Sequence, residues 1–135
     1  MDNNSLLFDV EILDPEPPII TPYKTVRMSP EYSGQWLVAG DLDNDDEMEF
    51  VSARNEDQRV TAVSAYKLDG TLMWTWGNAD EGKSTLSYDV PMQVYDINDD
   101  GKDEVIFSDE CYLIILDGKS GKQLAGYPLP DELKV

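Results

Sequence analysis

Two short stretches of this chain carry oxygen-bearing side chains at alternate positions. They are Asp41, Asp43 and Asp45 followed by Glu49, and Asp96, Asn98 and Asp100 followed by Glu104. In a tight loop, every second residue can turn toward one point, and hard oxygen donors converging there suit a hard cation. Calcium takes six to eight oxygens at about 2.3–2.6 Å and tolerates irregular geometry. Residues one, three and five of each loop would give side-chain oxygens, residue seven its backbone carbonyl, and residue nine a closing carboxylate. The carbonyls then come from Glu47 and Lys102. At the sixth position Gly101 suits a positive φ. The first loop has Asp46 there, a residue that tolerates the left-handed region better than most.

Competing readings fit less well. An EF-hand needs a bidentate Glu at its twelfth loop position and flanking helices. Those positions hold Ser52 and Phe107, and the flanks read as strands. Magnesium prefers one or two carboxylates and retained waters. Solvated acidic turns are the plain alternative, since Asp, Asn and Gly favour turns anywhere. Against them stand two matches at equivalent points of an internal repeat, with a charge density that calls for a counter-ion.

Other chemistries are excluded by composition. The chain has no histidine, so Ser-His-Asp and Cys-His catalysis, His-ligated zinc and an imidazole base are all absent from it. One cysteine, Cys111, allows no internal disulfide, and its apolar run to Leu116 suggests a small buried hydrophobe. With 28 acidic against 10 basic residues in 135, the net charge is −18, which disfavours nucleic acid and anionic membrane surfaces as partners. No stretch reaches the length of a membrane span, and the first residues do not read as a signal peptide.

The elements that must position the loops are strands. Trp36-Leu37-Val38-Ala39 leads into the first loop, and Phe50 to Ala53, Val60 to Leu68 and Thr71 to Trp76 follow it. An Asp69-Gly70 turn joins the last two, a strong hairpin signal. The order then repeats with Met92 to Tyr95, the second loop, Val105 to Phe107, the Cys111 run, Asp117-Gly118 and Gln123 to Tyr127. This copy is shorter between its acidic loop and its Leu-Asp-Gly turn, as expected of loops joining strands. No apolar period of 3.6 residues runs beyond two turns, so no helix is expected.

The predicted fold is therefore all-β: two four-stranded antiparallel blades of β-propeller type with calcium loops, preceded by a proline-rich N-terminal segment. Residues 1–33 form that segment, with an apolar strand candidate at Leu6 to Leu13 and five of the eight prolines. The first blade takes 34–90 with its loop at 41–49, and the second 91–135 with its loop at 96–104. Two blades cannot close a ring, so the missing blades must come in cis from a longer chain or by self-association.

Aromatic residues offer a weaker signal. Trp74 and Trp76 share one strand face and read as packing between blades. Trp36 and Tyr88 lie nearer loops and suit carbohydrate contact better, while Lys67 and Arg54 could meet a uronate carboxylate or sit on an ordinary surface.

The acidic loop between strands resembles the calcium loop of FG-GAP-type β-propellers. More specifically, Val38 to Asp43, Ala65-Tyr66-Lys67-Leu68-Asp69-Gly70-Thr71 through Trp74, Val94 to Val105 and Tyr112 to Lys122 resemble the propeller of the rhamnogalacturonan lyases of polysaccharide lyase family eleven. The resemblance spans roughly residues 32 to 127. It implies an eight-bladed propeller, structural calcium ions, and β-elimination on the rhamnogalacturonan backbone of pectin, in which a base removes the proton α to a uronate carboxylate. It also implies an extracellular or cell-surface setting. The chain departs from the family where Asp89-Val90-Pro91 stands in place of a histidine-bearing stretch, and in the short loop at Asp109-Glu110. The resemblance thus carries fold and calcium ligands but no catalytic residue. Two further expectations remain beside a lyase segment: a non-catalytic adhesion or carbohydrate-binding module with polysaccharide as partner, and a self-assembling two-blade unit.

Overall fold

The computed structural model describes residues 19–56, 59–81 and 92–133. Eight strands follow in order: β1 (Trp36–Gly40), β2 (Glu49–Glu56), β3 (Arg59–Tyr66), β4 (Leu72–Gly77), β5 (Met92–Tyr95), β6 (Glu104–Asp109), β7 (Tyr112–Leu116) and β8 (Gln123–Pro128). They form two four-stranded antiparallel meanders, β1-β2-β3-β4 and β5-β6-β7-β8. Among the described residues the one helical element is a single 3-10 turn, Asp131–Leu133. The expected all-β architecture is present, as two open sheets rather than a closed ring. The strand expected at Leu6 to Leu13 lies outside the described residues, as do Tyr88 and the stretch 89–91.

Alternation along the strands puts one face of the first sheet on one face of the second. Cross-strand rows of Trp36, Ala53, Val63 and Trp76, and of Val38, Val51, Ala65 and Trp74, form the first of these faces. Met92, Phe107 and Ile114, with Val94, Val105 and Leu116, form the second. Together with Leu42 they make one continuous core. Trp76 meets Phe107 edge-on at 5.0 Å between ring centroids. The Trp74 indole donates to the Gly118 carbonyl across the interface at 2.6 Å. Both tryptophans therefore pack between sheets, as their shared face predicts.

Close approach explains Gly121. A β-carbon there would lie 2.5 Å from the Trp74 ring, and its φ of +68° already favours glycine.

The far face of the first sheet carries a small polar patch. Ser52 and Ser64 are fully buried there beneath residues 29–34. The Ser29 amide donates to the Tyr66 hydroxyl at 2.8 Å, Ser33 Oγ lies 3.0 Å from Ser64 Oγ, and the Gly34 amide donates to Ser52 Oγ at 3.0 Å. The last part of the proline-rich segment thus straps the first sheet. The corresponding far face of the second sheet leaves Tyr95 and Tyr127 exposed.

Cys111 corrects its sequence expectation. It sits half-buried in the β6–β7 turn beside Glu110, whose φ is 51°, and not within the strand interior. Its carbonyl accepts from the Leu129 amide. The apolar run begins to pair only at Tyr112 because Asp109 and Tyr112 already close the hairpin.

Candidate metal centre

Each acidic loop leaves one strand and enters the next: β1 to β2, and β5 to β6. The first-position carboxylate organises the turn. Asp41 accepts from the Asp45 and Asp46 amides at 3.1 Å each, and Asp96 accepts from the Asp100 and Gly101 amides at 3.1 and 2.7 Å. The fifth-position carboxylates do the same one step on, Asp45 for the Glu47 amide and Asp100 for the Lys102 amide, both at 3.0 Å. The ninth residue closes each loop: Glu49 accepts from the Leu42 amide at 2.9 Å and Glu104 from the Ile97 amide at 3.0 Å.

Backbone conformation repeats as well. Asn44 and Asp99 have φ of 60° and 59°, and Asp46 matches Gly101 with φ of 65° against 87°. Asp46 thus adopts the left-handed conformation that the sixth position requires. Two stretches with different side chains at several positions share one hydrogen-bond scheme.

In the first loop, carboxylate oxygens of Asp41, Asp43, Asp45 and Glu49 lie within 4.8 Å of one another. This acidic cluster has the composition and span of a metal site. Glu49 is 1% exposed, and burial raises its pKa above the usual 4.5. Asp43 Oδ1 is buried without a hydrogen-bond partner. The Lys67 ammonium reaches the cluster from the end of β3, at 2.8 Å from Asp45, 3.2 Å from Asp43 and 3.6 Å from Glu49. Hydrogen bonding to Asp45 raises the Lys67 pKa, and the same bond lowers that of Asp45. Lys67 is therefore neither a sugar-facing cation nor an ordinary surface lysine. No local pattern marks this contact, because it depends on cross-strand register.

The second loop holds its residues differently. Glu104 is buried, and desolvation raises its pKa. The Asn98 amide donates to its free oxygen at 2.9 Å. For Asn98 to serve as a ligand its amide must present oxygen instead, which a half-turn about its terminal bond provides. Glu47 is exposed and Lys102 half-buried.

The loops also touch each other. Asp103 accepts from the Asp41 amide and returns a bond from its own amide to the Asp41 carbonyl, both at 3.0 Å. A β-carbon on Gly40 would lie 2.4 Å from that Asp103 carboxylate, so glycine permits the approach. An ion in either loop would stiffen the junction between the sheets. Asp103, at the eighth loop position, was not singled out by its spacing.

The remaining sequence candidates scatter. Trp36 packs against the core from β1 and is half-buried. Arg54 points into a shallow cleft lined by Glu31, Tyr32, Asn78 and Asp80, where its guanidinium donates to the Pro30 and Glu31 carbonyls.

No family model and no curated protein matches the chain. Solved structures do. The rhamnogalacturonan lyase PL11 of Bacillus licheniformis aligns over 82% of this chain and 26% of its own, with a TM-score of 0.52 and 21% identity. The exotype rhamnogalacturonan lyase YesX aligns over 84% of this chain and 26% of its own, with a TM-score of 0.51 and 20% identity. The V. cholerae biofilm matrix protein Bap1 aligns over 60% of this chain and 12% of its own, with 30% identity and a TM-score of 0.45. What the chain shares with the two lyases is the fold. It spans about a quarter of their length.

Proposed function

We propose that this chain is a calcium-binding pair of β-propeller blades from an extracellular or cell-surface carbohydrate-active protein of the rhamnogalacturonan-lyase type. The observation that carries the reading is the repetition of one hydrogen-bond scheme in two acidic loops at the junction of two stacked sheets. In this reading Asp41, Asp43, Asp45, Glu49 and the Glu47 carbonyl hold one ion. Asp96, Asn98, Asp100, Glu104 and the Lys102 carbonyl hold the other. Calcium supplies the charge that offsets the clustered carboxylates and fixes the turns. The chain's part is structural: it orients oxygens from two successive turns and ties them together through Asp41 and Asp103.

The chain by itself is proposed to be non-catalytic, since it has no histidine to act as base. That same observation favours the second reading, a binding or adhesion module of FG-GAP type with polysaccharide as partner. Rhamnogalacturonan treated with the chain should yield no unsaturated uronate products on either reading.

Thermal unfolding of the chelator-stripped chain tests the calcium reading. A ligand that binds only the folded state adds about 2.7 kcal/mol per site at a hundred times its Kd. Millimolar calcium should raise the Tm by several degrees and magnesium by less. An unchanged Tm contradicts the proposal.

A further inference from the structure

The two loops differ at the third ligand position, Asp43 against Asn98, and among the described residues only the first loop's carboxylates cluster; they differ as well in what stands opposite their closing glutamate. Phe50 pairs with Tyr66, so the next cross-strand position places Lys67 opposite Glu49. Val105 pairs with Leu116, so Asp117 stands opposite Glu104. The backbone confirms that these two residues are equivalent. Lys67 receives from the Gly70 amide and gives to Thr71, while Asp117 receives from the Gly121 amide and gives to Lys122. One position thus carries a cation at the first loop and an anion at the second.

The consequence for charge is direct. Three of the four clustered carboxylates of the first loop already lie within 4 Å of the Lys67 ammonium. Among the described residues, no lysine or arginine reaches salt-bridge distance of Asp96, Asp100 or Glu104. Asp117 adds its negative field to that of Asp96 and Asp100 around Glu104. A divalent ion entering the first loop must displace an ammonium that occupies the space between its ligands. An ion entering the second loop meets no ammonium there, and has only to turn the Asn98 amide away from Glu104.

We propose that Lys67 is a tethered counter-ion of the first loop, so that calcium fills the second loop first and the first only by expelling the lysine. The first loop's clustered carboxylates are then balanced by Lys67 when no metal is bound, whereas the second loop's have no such counter-ion among the described residues. This inference rests on the reading of both loops as calcium sites.

Calorimetric calcium titration of the chain and its Lys67→Met and Lys67→Arg variants tests it, with far-UV circular dichroism confirming the fold of each. The unaltered chain should bind in two steps, the tighter one lost in Asp96→Asn. Lys67→Met should tighten the weaker step about tenfold or more, because a unit charge in direct contact with the ligands is removed, and leave the tighter step alone. Lys67→Arg should retain the weak step. The reciprocal Asp117→Lys should loosen the second loop's step and spare the first, which keeps the idea testable if Lys67→Met fails to fold. An unchanged weak step in Lys67→Met, or loss of the tighter step in Asp41→Asn, overturns the inference while leaving two calcium sites in place. Absence of calcium binding in every chain overturns the calcium reading and the inference together.

Discussion

Replacing Trp74 with phenylalanine should cost the chain about 2–4 kcal/mol, and the figure follows from what the indole does. The side chain is 7% exposed, and its ring nitrogen donates to the buried Gly118 carbonyl of the other sheet. Phenylalanine has no donor, so that carbonyl loses its partner at a cost of about 1–3 kcal/mol. The smaller ring also forfeits buried apolar area worth about 1 kcal/mol. Urea unfolding followed by far-UV circular dichroism reads the sum as a lower midpoint at unchanged m-value. A second substitution sharpens the test. Gly121→Ala places a methyl 2.5 Å from the indole on a positive φ, and clash and backbone strain together should cost about 2–5 kcal/mol in the unaltered chain. With Trp74→Ala beside it, only the strain of a positive φ remains, about 1–2 kcal/mol, so the two effects should add to less than their sum. A Trp74→Phe loss below about 0.5 kcal/mol, or strict additivity of the pair, would show that the sheets do not meet through this contact.

Burial holds Glu49 and Glu104 above their usual 4.5 and Asp109 above 3.8, so the folded calcium-free chain binds protons that the unfolded chain has released. Stability from these groups is full below the unfolded values and falls as pH rises through the raised folded ones. The Tm of the stripped chain should therefore climb from pH 7.5 to pH 5, and calcium should flatten the rise. Asp45 and Asp69 have lowered values and weaken the fold only as pH drops below about 3.8, outside that window. Gly101→Ala forces a β-carbon onto a φ of 87° and should cost about 1–2 kcal/mol, whereas Asp46→Gly should leave chemical stability unchanged or improved. Arg59→Ala breaks a half-exposed pairing with Asp109 and Glu110, and denaturant unfolding should register less than about 1 kcal/mol.

Much of the fold was readable because its signals are local. Alternating apolar residues bounded by Asp-Gly turns mark strands, and the hairpins at Asp69-Gly70 and Asp117-Gly118 appear where that chemistry places them. The loops were legible for the same reason, since Asp41 and Asp96 organise amides only four and five residues away. What escaped the sequence is non-local. Lys67 meets its carboxylates through the β2–β3 register, and Asp103 meets Asp41 only once two sheets stack. Ser29 and Ser33 read as the tail of a linker, yet with Gly34 they cover Ser52, Ser64 and Tyr66 by pairing small polar groups that carry no periodic signal. Cys111 looked like strand interior because it adjoins an apolar run, and only the tightness of the β6–β7 turn moves it outward.

The most direct test of the account is the calcium stoichiometry of the chelator-stripped chain, measured by equilibrium dialysis at millimolar free calcium with elemental analysis. Two ions should bind per chain, one should remain in Asp41→Asn and one in Asp96→Asn, and none in the double variant. No bound calcium in the unaltered chain, or two ions retained in the double variant, would contradict the assignment of the paired loops as the metal sites.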